Sequence, residues 1–273
     1  MIAAIFWVTL FMLGASIGSF LNVCILRWPA GESVVRPRSR CPTCGRGIHW
    51  YENIPIVSWV ALRAKCAGCG APISIRYPAT ELAVGLGWLL SAWHFTPGLT
   101  ALRVAVFGTV LLGIAITDLE HYLIPDGFTV FGLVWVLLTA FAGALVPEGS
   151  PFAGPIDAIL GACVGAGAIA IAGWLGEVAM KREAMGFGDV TLMAFAGAAL
   201  GPMRALLTVF VGAALGAVIF VAIVMPLVKS RQAAEPPHAT PLVPFGVFLA
   251  PAALITLLWG APLVAWYLRL LTT

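Results

Sequence analysis

Residues 100–126 read TALRVAVFGTVLLGIAITDLEHYLIPD. Positions 100–117 carry a single charge, Arg103; then Asp118, Glu120 and His121 arrive within four residues, followed by the Pro125-Asp126 turn. Crossing the hydrocarbon core of a bilayer takes about 20 mainly apolar residues in a helix. The stretch therefore reads as a membrane helix whose end meets the headgroups at Asp118. An acid at the centre of such a helix costs about 2.5–3.5 kcal/mol to insert. An ionisable group near that depth is accordingly read first as functional.

The same pattern recurs outward in both directions. Apolar runs fall at about 2–26, 78–95, 100–117, 127–146, 156–179, 190–200, 203–228 and 245–271. They predict an all-α polytopic membrane protein of about eight transmembrane helices, the second and sixth short. Composition agrees: the 273 residues are 61% hydrophobic and 10% charged, with mean hydropathy +1.00, whereas soluble domains carry about 25% charged residues. Such a chain is solvated by lipid, and nothing in it points to nucleic acid as a partner. The run 2–26 is too long, and lacks the basic start, for a cleaved signal. Basic residues in short loops mark the cytoplasmic side. With eight spans, the cytoplasmic loops are 27–77, 118–126, 180–189 and 229–244. They hold every Lys and Arg except Arg103, Arg204 and Arg269. Both chain ends then face the other side. The stretch 229–244 reads as a flexible loop and 146–155 as a somewhat long outer loop. The expected organisation is a first helix at 1–26, a small cytoplasmic module at 27–77, and a seven-helix membrane domain at 78–273.

Glycines recur at helical spacing. Gly14 with Gly18, Gly161 with Gly165, and Gly212 with Gly216 form GxxxG pairs, which suit close helix contact in lipid. Gly14, Ser16 and Gly18 also spell the serine-hydrolase pattern GxSxG, and Gly165, Gly167 and Ala170 imitate a nucleotide loop. Both of those motifs need a strand before a helix. Here they lie inside apolar helices, so they read as packing faces.

The polar stretch 27–77 contains Cys41 and Cys44, then Cys66 and Cys69, as two CxxC pairs. Each pair can give two thiolates to one ion, and four close a tetrahedral structural zinc site with no open position for water. Gly45 and Gly70 follow the pairs and let the backbone curl toward the ligands. Four free thiols are the alternative. A module this small buries little core of its own, so metal would supply its folding energy. Cys24 and Cys163 lie in apolar runs and read as plain buried thiols.

The acids sort by position. Asp118, and Asp189 in Gly186-Phe187-Gly188-Asp189, both fall at the inner ends of spans. Packing could bring them together, with Gly186 and Gly188 giving close backbone approach. Two such carboxyls share one proton; the ionised one can take a proton from water and the other can give one to a carbonyl and then to an amine. That is aspartic peptidase chemistry, with no metal and no covalent intermediate. No HExxH helix is present to support hydrolysis by zinc. Glu120 reads as a solvated interfacial acid and Asp126 as an acid at a helix start.

The sequence resembles the prepilin peptidase family, the type IV leader peptidases. The residues that carry the likeness are Gly18-Ser19-Phe20-Leu21-Asn22-Val23 with Arg27 and Pro29, and Trp50-Tyr51-Glu52-Asn53-Ile54-Pro55 with Ser58-Trp59. To these add both cysteine pairs, Arg76-Tyr77-Pro78, Glu81, Asp118-Leu119, Ile124-Pro125-Asp126, and Gly186-Phe187-Gly188-Asp189 as the family's GxGD motif. The resemblance implies that Asp118 and Asp189 are the catalytic pair. It implies leader-peptide cleavage of type IV prepilins or pseudopilins, after a glycine, on the cytoplasmic side of the bacterial inner membrane. It further implies methylation of the new N-terminus from S-adenosylmethionine. No glycine loop marks a methyl-donor site; Trp50, Tyr51 and Glu52 are candidates only by their polarity or aromaticity. A peptidase without methylation, and a non-enzymatic zinc-ribbon scaffold for secretion or pilus assembly, are the alternatives.

Overall fold

The computed structural model describes residues 2–146, 149–181, 185–225 and 244–272. Among them the chain is helical: α1 Ile2–Arg27, a short 3₁₀ turn Trp50–Asn53, α2 Val57–Ala61, α3 Arg76–Phe95, α4 Leu99–His121, α5 Asp126–Ala144, α6 Pro155–Met180, α7 Phe187–Leu200, α8 Pro202–Ile219 and α9 Gly246–Thr272. Each of the eight apolar runs is a helix. Six are long and apolar enough to cross a membrane. The 20-residue α3 and the 14-residue α7 are the exceptions, at the two runs read as short. The loop 229–244 lies outside the described residues apart from Pro244, as do Arg182, Glu148 and Glu183.

The chain divides into two compact units, residues 1–113 and 114–273. In the first, α1 packs along α3 through its glycines. A Cβ on Gly14 would sit 3.0 Å from the Gly85 Cα, and one on Gly18 would sit 2.8 Å from the Glu81 Cα. Ser16 between them is exposed, and its hydroxyl donates to the Met12 carbonyl at 2.7 Å. No nucleophile is built there. Asn22 continues the seam, its Nδ2 donating to the Tyr77 carbonyl at 3.2 Å. The small module is moored to α3 by Glu81, whose Oε2 accepts the Ile56 N–H at 2.7 Å.

In the second unit α7 is the central helix. Leu192, Met193, Phe195, Ala196, Ala198 and Ala199 have no exposed surface. A helix enclosed by other helices can be short, because its neighbours and not lipid satisfy its surroundings. Small residues let those neighbours close in. Phe195 fills the gap over Gly132 of α5, and Gly161 and Gly165 of α6 meet the backbone of α7 at Gly197 and Met193. Gly212 and Gly216 of α8 receive Leu249 and Phe248 of α9. All three GxxxG pairs therefore face a partner helix, while Gly167 faces open space. Part of the 146–155 loop packs back on α7: the Ala153 N–H donates to the Ala199 carbonyl at 2.9 Å. Arg204 bridges the same end, donating to the carbonyls of Leu200 at 2.8 Å and Pro151 at 2.6 Å, where a cation suits a helix C-terminus.

A Cβ at Gly161 would overlap the Gly197 carbonyl oxygen and stand 2.8 Å from the Gly201 Cα. Both are backbone atoms that cannot step aside. Gly161→Val is therefore expected to cost about 1–3 kcal/mol or more, as overpacked cores do. Thermal melting in detergent checks this; an unchanged midpoint would rule out the α6–α7 seam.

Candidate active site and metal centre

Asp118 lies in the last turn of α4. Its carbonyl accepts the Tyr122 N–H at 2.9 Å, and Tyr122, at φ 54, ends the helix in a left-handed conformation. The chain then turns through the buried pair Ile124-Pro125 into α5. Asp189 is the third residue of α7, after Gly186, whose carbonyl accepts the Asp189 N–H at 3.1 Å. The two acids are only 5% and 9% exposed, and the elements that carry them meet at Ile124, which packs against Gly188, next to Asp189, and against Gly246, next to the Asp118 carboxyl. The structure thus brings together two acids that lie 71 positions apart in sequence. Gly188 explains the approach: a Cβ there would stand 2.9 Å from the Ile124 Cβ. Glycine at this position lets the start of α7 lie against the α4–α5 turn.

Two buried carboxyls in electrostatic contact cannot both be ionised cheaply. Brought to within about 3 Å of one another, such carboxyls can hold a proton between them and pass it to and from a bound group. The neighbouring acids are differently placed. Glu120 is exposed, 3.9 Å from the His121 ring nitrogen. Asp126 is exposed in the first turn of α5. Glu177, which the sequence reading passes over, is exposed near the end of α6.

The four cysteines also converge. The Sγ atoms of Cys41, Cys44, Cys66 and Cys69 all lie within 4.8 Å of one another, with Cys41 and Cys69 3.9 Å apart. A tetrahedral ion with bonds of about 2.3 Å to sulfur sets its ligands about 3.8 Å apart, so the cluster has the right size for one metal. The two pairs are built alike. In the first, the Cys41 N–H donates to the Arg46 carbonyl at 2.9 Å and the Gly45 N–H to the Cys41 carbonyl at 2.9 Å. In the second, the Cys66 N–H donates to the Ala71 carbonyl at 2.8 Å and the Gly70 N–H to the Cys66 carbonyl at 2.9 Å. Gly45 and Gly70 take φ of 70 and 72, a conformation that side-chain-bearing residues adopt at a cost.

The backbone N–H groups of Cys44 and Thr43 hold the Cys41 thiol down at about 6. Those of Cys69 and Gly68 do the same, in direction, for Cys66. Although the Ala71 N–H pulls Cys69 down, burial and the neighbouring sulfurs push it up to about 11. Four sulfurs this close do not all ionise unaided; a dication relieves that conflict. Beneath the cluster Arg46 pairs with Glu52 at 2.9 Å, and Glu52 also accepts the His49 N–H at 3.1 Å. These two bonds, the His49 N–H first, hold the Glu52 carboxyl below its usual range. A depressed carboxyl contributes stability above its ordinary titration range and loses it as pH falls through the folded value. Glu52 is thus a brace for the module rather than a free acid. Trp50 and Tyr51 stay exposed, at 80% and 54%. Arg46→Ala is expected to speed metal loss to a chelator, and to do so more at neutral than at acid pH; equal loss rates would remove the brace.

Cys24 is buried as expected. Cys163 is not: it lies exposed on α6, on a face that no helix among the described residues covers.

A multi-pass helical chain with two buried aspartates at helix ends and a four-cysteine cluster defines a class of membrane protein. Comparison with known proteins agrees. Residues 12–95 match the model of the bacterial peptidase A24 N-terminal domain, and residues 105–221 match that of the type IV leader peptidase family. A prepilin leader peptidase/N-methyltransferase of Stutzerimonas stutzeri is 37% identical over 94% of this chain and 92% of its own length. One of Pseudomonas aeruginosa is 35% identical over the same shares. One of Myxococcus xanthus is 44% identical over 79% of this chain and 62% of its own length. No solved structure matches. The chain belongs to the type IV leader peptidase family.

Proposed function

We infer that this chain cuts the leader peptides of type IV prepilins or pseudopilins and methylates the N-terminus it exposes. The observation that carries the reading is the burial of Asp118 and Asp189 at the ends of α4 and α7, two elements that meet at Ile124. One of the two carboxyls takes a proton from water as the water attacks the scissile carbonyl. The other gives its proton to the carbonyl oxygen; as the tetrahedral intermediate collapses, the first carboxyl passes the proton it took from water to the leaving amine, and the second regains its own from the intermediate's hydroxyl. The substrate's apolar helix lies in lipid beside the spans, with its basic leader in the cytoplasm. The scissile bond then falls at the interface, where water is available. The distribution of Lys and Arg supports a cytoplasmic side for 27–77 and for both aspartates, with the chain ends opposite.

We assign the four cysteines to one structural zinc ion in the 27–77 module, and the peptidase chemistry to 78–273. The zinc has four protein ligands and takes no part in hydrolysis. S-adenosylmethionine, when bound, supplies the methyl group for the freed amine. Glu52 is engaged by Arg46 and is set aside as its ligand.

The test is incubation of the purified protein in lipid with a prepilin and S-adenosylmethionine, followed by mass spectrometry of the product. A chain shortened to the residue after the leader glycine and one methyl heavier is expected. A shortened chain without the methyl would reduce the activity to peptidase alone. No shortening would sink the reading, and pilus assembly that survives loss of both aspartates would favour a scaffold.

A further inference from the structure

Among the described residues, nothing engages the side-chain oxygen of Asn22. The side chain is almost fully enclosed where α1 meets α3. Its Nδ2 donates to the Tyr77 carbonyl at 3.2 Å, but Oδ1 has no hydrogen-bond partner. An enclosed acceptor left unpaired is costly and rare in folded proteins, and a bound ligand is one way to satisfy it.

One turn along the same seam stands Glu81. α1 and α3 run antiparallel, so Gly18, one turn before Asn22, lies against Glu81, one turn after Tyr77. Glu81 is buried too. Its Oε2 accepts the Ile56 N–H at 2.7 Å, and the partly exposed Ser19 lies beside its carboxyl. No Lys, Arg or His pairs with Glu81 among the described residues, although a buried carboxylate ordinarily has a cationic partner.

Ile56 is itself unusual. It sits at φ 63 and ψ −50, and the Val57 N–H donates to the Pro55 carbonyl at 2.6 Å. That is a γ-turn of the rare, strained kind, centred on a β-branched residue for which positive φ is an outlier. Strained backbone of this sort gathers at ligand clamps and switches. The small module thus lays a strained turn over Glu81, and that turn is the part of the wall readiest to yield to an entering group.

Two acceptors, one of them anionic, suit a ligand that is both a cation and a hydrogen-bond donor. A hard metal ion takes about six to eight oxygens, more than these two groups offer. A primary ammonium brings one charge and three N–H donors. We propose that Asn22 Oδ1 and the Glu81 carboxylate, beneath the Pro55–Val57 turn, form a primary-ammonium site that serves methylation. This rests on the chain being a methyltransferase. Two molecules of that reaction carry such a group: the cleaved pilin at its new N-terminus, and S-adenosylmethionine at its amino-acid end.

Glu81→Gln keeps the side chain's size and an oxygen for the Ile56 N–H but loses the charge. Asn22→Leu removes the orphaned oxygen. Full-length protein in lipid is assayed two ways: calorimetric binding of S-adenosylmethionine, and KM for a leaderless, unmethylated pilin. Glu81→Gln is expected to weaken one of the two by about 10- to 100-fold, the worth of a hydrogen bond to a charged group. Weaker S-adenosylmethionine binding assigns the site to the methyl donor; a raised pilin KM assigns it to the acceptor. Asn22→Leu is expected to weaken the same one by about 3- to 10-fold. Its melting temperature does not fall, because the Tyr77 carbonyl keeps its partner within α3. Binding and KM unaltered in both variants overturn the proposal. So does joint loss of zinc, cleavage and methylation, since Glu81 would then only hold the module in place. Should Glu81→Gln fail to fold, Asn22→Leu decides. If wild-type protein neither binds S-adenosylmethionine nor methylates, the methylation reading falls and the site with it. If wild type does both and the variants match it, only the ammonium site falls.

Discussion

Asparagine at either Asp118 or Asp189 lowers prepilin cleavage by at least about 10³-fold, the upper part of what a positioned acid or base contributes. The substitution keeps the side chain's size, so the close approach of Asp118 to Gly246 survives. An oxygen also remains to accept the Val247 N–H, which lies 3.1 Å from the Asp118 Oδ2. What is lost is the ability to ionise or to release a carboxyl proton. Residues that act as a unit give non-additive losses. Asp118→Asn with Asp189→Asn should therefore be no slower than either single variant. Turnover in purified protein, with melting temperature alongside, measures this. Additive losses would mean that the two carboxyls work separately.

Removing the metal ligands should have the second-largest effect, on a different part of the chain. Cys41→Ser with Cys66→Ser leaves one thiol in each pair. Structural zinc binding contributes about 10–16 kcal/mol in small domains, more than the short turn at Trp50–Asn53 and the five-residue α2 can replace. The expected result is loss of zinc by elemental analysis and proteolytic nicking between residues 27 and 77. Methylation of the product falls while Asp118 and Asp189 still cut. A full complement of zinc in the double variant would place the ion elsewhere. Abolition of cleavage chemistry in an otherwise intact peptidase unit would make the metal more than a brace.

Much of the fold was legible in the sequence because lipid imposes length and composition on each span. The eight runs became α1 and α3–α9 with shifts of a few residues, except that the run 203–228 gives α8 only to Ile219, then a π-helical turn Phe220–Val224, its last three residues lying outside the described ones. The run 190–200 was read as short, and α7 is short because other helices enclose it. The cysteine pairs were legible because ligand spacing is local. Asp118 and Asp189 drew attention because an acid at a span end stands out against an apolar background, and both are buried in the fold. Other parts of the site were not. Glu52 looked like a free acid in a polar loop, and only the folded module shows Arg46 and the His49 N–H upon it. Gly246 and Val247 looked like the ordinary start of an apolar helix. A backbone N–H has no signature in sequence, and its target lies 129 positions away. Cys163 misled because an apolar run does not say which face of its helix meets protein and which meets lipid.

The most direct measurement is an experimental structure of the protein in a bilayer, resolving the carboxyl oxygens of Asp118 and Asp189. The account predicts that an oxygen of each lies close enough to share a proton, about 3 Å. Side chains facing separate surroundings, too far apart to meet by any loop or helix motion, would contradict it.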